Sequence, residues 1–148
     1  MNIRRKLPYI ASIAFIVLFT YAAASKLIEQ ETFEIQISQS PLLSAYATTL
    51  AWSVPASEIV ISLGLSIQIF RALALYLSYG LMVVFTGYIV AILNFGSQIP
   101  CSCGGILSSM GWTQHLVFNV FFVLLAACAI LVDTNNPFNQ WTKIFTGR

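Results

Sequence analysis

Charge is scarce in this chain. Of its 148 residues only 8% are Asp, Glu, Lys or Arg, against roughly 25% in a soluble domain. That is too little polar surface to cover a core in water. The net charge is only +2 and no basic patch is interleaved with aromatics, so nothing points to nucleic acid. A Gly-rich phosphate loop and an HExxH pairing are missing as well, which removes the usual scaffolds of nucleotide and zinc-protease chemistry. One histidine and three cysteines are present, so any chemistry must rest on few residues. No internal repeat, low-complexity segment or interdomain linker breaks the chain, and residues 1–148 read as one domain.

What is there is mostly hydrocarbon: 58% of the residues are hydrophobic. Four apolar stretches stand out, at about residues 8–28, 45–69, 72–95 and 114–132. Each is long enough to cross the roughly 30 Å hydrocarbon layer, which takes about 20 helical residues. A lone strand in lipid would leave its backbone groups unpaired, so each stretch is predicted to be a helix. The expected fold is all-α: a polytopic membrane protein, a four-transmembrane-helix bundle with short interfacial helices. The first stretch, with "RRK" before it and Ala22–Ala23–Ala24 near its end, has the outline of a signal peptide. Its apolar run exceeds the usual length and continues through Leu27 and Ile28, so an uncleaved helix is expected.

Basic residues in short loops mark the cytoplasmic side of a membrane protein. Arg4, Arg5, Lys6, Arg71, Lys143 and Arg148 fall on one side of the four spans, and Lys26 alone on the other. The expected topology is N-in and C-in in the inner membrane, with residues 96–113 facing the periplasm, where a disulfide can persist. Trp112 and Trp141 fall at interfacial depth, and Phe138, Trp141 and Phe145 suggest a short interfacial helix. Phe33 and Ile37, four apart and followed by Pro41, suggest a second one outside, lying on the membrane rather than forming a binding site.

The outer loop between the third and fourth spans carries "IPCSCGGIL", residues 99–107. Cys101 and Cys103, at i and i+2, can close only a small strained ring, and strained exposed bridges are the labile or catalytic ones. As a structural staple the bridge would do little, since the loop it closes is so short. Gly104 and Gly105 allow successive N–H groups to converge on a thiolate. Cys101 stands where a helix N-cap would, with the N–H groups of Cys103 and Gly104 in reach, which favours it as the attacking thiol. Three other readings stay open: inert thiols, a structural bridge, or a soft Cu(I) site made with Met110 and His115. The spacing matches no strong zinc pattern. Cys128, among Ala and Leu in the fourth stretch, reads as a small buried hydrophobe.

Glu58 is the other outlier. It lies near the middle of the second stretch, three residues after Pro55 and four before Ser62. Ionisable groups inside a membrane are costly and mark function by default. Lys26 is the one outer cation and its natural partner. Such a pair can be glue between helices, or part of a proton path or acceptor pocket beneath the cysteines. His115 can bond to backbone or tune a thiol, and Asn94 and Asn119 can join either arrangement.

"AAASKLIEQETF", "WSVPASEI", "PCSCGG" and "MGWTQHLVFN" together resemble the MauE/DoxX family of small, redox-associated four-helix membrane proteins. The resemblance spans nearly the whole chain, although each motif alone is short. It aligns Lys26, Glu58 and the pair Cys101 and Cys103 with the family's Lys-Leu, helix-two acid and C-x-C. It implies a membrane thiol–disulfide redox protein, an oxidoreductase whose outward pair exchanges electrons with a periplasmic thioredoxin-like protein or other thiol client. "CGG" departs from the Cys-Phe-Gly form of other branches, which points to a broad thiol–disulfide role rather than maturation of methylamine dehydrogenase. If the protein is an oxidase, a quinone must take the electrons; no second outer cysteine pair is present, so an internal two-disulfide relay is not available. The competing expectation is a non-enzymatic membrane adaptor or Cu(I)-handling protein using the same loop.

Overall fold

The computed structural model describes residues 3–40, 43–95 and 111–132, with the backbone alone for residues 3–5, 95 and 112. Five α-helices make up nearly all of it. α1 is Ile3–Ile28, α2 Gln30–Ser38, α3 Ala47–Ser66, α4 Arg71–Phe95 and α5 Trp112–Val132. α1, α3, α4 and α5 carry the four apolar spans, Lys6–Ile28, Ser44–Ser66, Arg71–Asn94 and Thr113–Val132. The four-span, all-helical expectation therefore holds. The second helix is shorter than expected: Ser44–Tyr46 form a 3-10 turn before it, and it stops at Ser66, where Ile67 turns extended. The third starts one residue early, so Arg71 opens α4 rather than lying in the turn.

Pro8 and Pro55 lie inside α1 and α3 without ending them. Pro8 lies in the second turn of α1, and Ser12 Oγ donates to its carbonyl at 2.7 Å. α1 packs on α3, α3 on α4, α4 on α5, and α5 closes back on α1. The connection between α3 and α4 is tight enough that the Cβ of an alanine at Gly64 would lie 3.1 Å from Ala74 Cβ.

The packing inverts that of a soluble protein. The buried stripe of α3 is Ala47, Ala51, Pro55, Glu58, Ile61, Ser62 and Leu65, mostly small or polar and spaced at helical period. Its outward face carries Trp52, Ile59, Val60 and Leu63. Small residues let helix backbones approach, and bulky apolar ones meet lipid tails that are as greasy as they are. At most 39% of any span's apolar window is buried in the bundle, so most of each helix requires lipid. Cys128 follows the outward pattern: it is exposed on α5, not buried as expected, because it lies roughly two and a half helical turns beyond the buried Asn119 and so on the opposite face.

One core fills the end of the bundle nearest Arg71. Phe15, Phe19, Leu65, Leu75, Met82, Phe122 and Ala126 meet there, with the Phe15 and Phe122 rings 5.2 Å apart at 70°, an edge-on geometry that aromatic rings favour. Thr20 and Ser62 hydroxyls join α1 to α3 at 3.0 Å. A smaller cluster at the other end joins Phe33 and Ile37 of α2 to Ala47 and Ala51 of α3. This differs from the expectation of a helix lying on the membrane, since the Phe33–Ile37 face turns onto protein. α2 ends at Ser38, ahead of Pro41, which lies outside the described residues.

Candidate functional site: a buried ion pair on a cavity

Between the two clusters lies a cavity of about 390 Å³. All five helices line it. The contributions come from the late part of α1, the face of α2, the early part of α3, the late part of α4 and the start of α5, so the spans alternate in direction. Its wall is chiefly apolar and aromatic, with Phe19, Phe33, Phe85 and Phe118 among the lining residues. Lys26, Glu58, His115 and Asn119 bring polar groups to the same space.

Lys26 Nζ donates to Glu58 Oε1 at 2.8 Å, with only 15% of the lysine side chain and 1% of the glutamate exposed. The pair expected from the sequence forms, and it ties the end of α1 to the middle of α3. Lys26 Nζ also makes a long contact of 3.4 Å to the Ala22 carbonyl. It stands 5.8 Å from the Phe33 ring centre and 6.0 Å from that of Phe85, where ring faces favour a cation. The second carboxylate oxygen, Glu58 Oε2, is buried and has no hydrogen-bond partner among the described residues. A carboxylate in lipid normally fills its acceptor sites, so this oxygen is an exception among the described residues.

His115, in the first turn of α5, lies on the cavity wall half-buried, its backbone N–H donating to the Gly111 carbonyl at 2.9 Å. Asn119, one turn further, is buried against the same space. Asn94 does not join them: it is exposed, and its amide donates to the Val90 carbonyl of its own helix at 2.7 Å. Cys101, Cys103, Gly104, Gly105 and Met110 lie outside the described residues, as do Phe138, Trp141 and Phe145. Three members of the soft Cu(I) set are thus outside, and among the described residues no cluster of His, Cys, Asp or Glu gathers that could hold a metal.

The cavity itself was not legible. Phe33 and Ile37 signalled a helical face but not that it roofs a chamber, and Phe85, in a uniformly greasy run, carried no signal at all.

These features define a class: a multi-pass membrane protein of four spanning helices, with a buried ion pair on a cavity among its described residues. Residues 4–132 match the model of the family "Methylamine utilisation protein MauE", and the chain belongs to that family. No curated protein and no solved structure matches it.

Proposed function

We propose that this protein is a membrane thiol–disulfide redox protein of the inner membrane, N-in and C-in. Its outward Cys101–Cys103 pair exchanges electrons with a periplasmic thioredoxin-fold protein or other thiol client. A thiolate of the client attacks the Cys101–Cys103 disulfide, a mixed disulfide forms, and the client's second thiol resolves it. The client leaves as a disulfide and the pair is left as two thiols; the reverse sequence reduces the client.

One observation carries this reading. α4 ends and α5 begins at the end of the bundle that holds the Lys26–Glu58 pair and the cavity, and the chain between them contains the C-x-C pair. Charge buried in lipid at the root of a cysteine loop is costly without a use. Membership of a family named for a methylamine-utilisation protein supports a redox setting.

The test is mixed-disulfide trapping. Cys103→Ser leaves Cys101 able to attack a disulfide client but removes the thiol that would resolve the adduct. A reducible higher band on a nonreducing gel is expected, fainter with Cys101→Ser. No adduct from either variant, with full activity in the double serine variant, overturns the proposal in favour of an adaptor. Stoichiometric Cu(I) on the reduced protein, lost in the double variant, would do so in favour of metal handling.

A further inference from the structure

We propose that the cavity between the helices binds the head of a lipid-soluble quinone, held by the Lys26 ammonium and the second carboxylate oxygen of Glu58. The inference rests on the thiol–disulfide reading, run in the oxidising direction. One C-x-C pair stores a single disulfide. Each client it oxidises leaves it as two thiols, and a two-electron, two-proton acceptor must reoxidise it. In that step two S–H bonds break and one S–S bond forms. Both electrons and both protons go to the two oxygens of the quinone, which leaves as quinol.

The cavity fits that class of molecule on four counts. At about 390 Å³ it is within the roughly 300–1,000 Å³ of small-molecule sites. It lies among spanning helices, so a ligand dissolved in the bilayer is the natural occupant. Lys26 and Glu58 already neutralise each other at 2.8 Å, so a charged ligand would bring uncompensated charge into a low dielectric, whereas a quinone and its quinol are both neutral. The hydrogen-bonding groups match both redox forms: an ammonium has three N–H donors, enough to serve a quinone carbonyl besides Glu58 Oε1. Glu58 Oε2, buried just behind the cavity surface and without a partner among the described residues, is the acceptor that a small side-chain shift would turn to the O–H that exists only in the quinol. The Phe33 and Phe85 rings flanking Lys26 offer flat apolar faces to a flat ring.

A photoreactive short-tailed quinone, added to the full-length protein in lipid nanodiscs, tests this by binding alone. Crosslinks are expected on peptides that line the cavity, around Phe85 and Phe118, and unlabelled quinone should compete them away. Lys26→Met combined with Glu58→Gln removes both charges together and should weaken binding about tenfold or more, the scale of one charge-assisted hydrogen bond. Leu81→Trp, which fills the cavity from its wall, should abolish crosslinking while far-UV circular dichroism and elution volume stay unchanged. Crosslinks confined to lipid-facing positions such as Val17 and Val60 would overturn the proposal. So would a co-purified acyl lipid or isoprenoid alcohol that quinone does not displace, or saturable crosslinking unaffected in both variants. Trapping of a client without quinone binding refutes only the cavity assignment; quinone binding without any trapped client refutes the thiol reading and leaves the site.

Discussion

Lys26 and Glu58, 32 residues apart, meet at 2.8 Å inside the bundle, and the second carboxylate oxygen is buried without a partner among the described residues. The contact links the end of α1 to the middle of α3, away from the Arg71 end of the bundle. It sets the first prediction. Glu58→Gln and Lys26→Met each leave one buried partner unpaired, a loss of roughly 3–5 kcal/mol in buried pairs. The double variant should be more stable than the sum of the singles by about 1 kcal/mol or more in a double-mutant cycle. Unfolding monitored in mixed micelles gives the number, and strict additivity would mean that the pair contributes nothing to the fold.

The second prediction is topological. A membrane-impermeant maleimide should label reduced Cys101 and Cys103 in intact spheroplasts. Cys128, exposed on α5 within a span, should resist that reagent yet react with a small lipid-soluble maleimide, since it faces tails and not the bundle core. Labelling of the C-x-C pair only after the membrane is breached would reverse the orientation and remove the periplasmic client with it.

Gly64 supplies the third. Its missing side chain lets Ala74 approach to where an alanine Cβ would be 3.1 Å away. Gly64→Leu should force α3 and α4 apart and destabilise the protein by roughly 1–3 kcal/mol, the range of overpacked sites. Gly80, with nothing within 4 Å of a built Cβ, is the control: Gly80→Ala should be neutral or mildly stabilising by the same unfolding assay.

Much of this architecture is legible in the residues. Length and apolarity alone locate four spans, because lipid leaves the backbone no other arrangement. Lys26 and Glu58 could be matched because a lone cation and a lone anion in hydrocarbon have few other solutions. Direction was harder to read. The Phe33–Ile37 spacing shows a face, but lipid and protein both accept an apolar face, and only the packing on Ala47 and Ala51 decides between them. Cys128 stands on the face of α5 opposite the buried Asn119, a helical spacing that its Ala and Leu neighbours mask. The cavity depends on how five helices leave space among them, which no local pattern encodes. Cys101 and Cys103 lie outside the described residues, so their part in the proposal rests on their spacing, on the family and on where α4 and α5 meet the cavity.

The most direct measurement is the redox state of the C-x-C pair during turnover. Membranes are acid-quenched before and after addition of a reduced thioredoxin-fold client, free thiols are alkylated, and the peptide spanning Cys101 and Cys103 is weighed. The account predicts a disulfide before addition, two alkylated thiols after it, and a return to disulfide once quinone is supplied. A peptide that keeps one redox state through all three conditions, while the protein remains active, would contradict it.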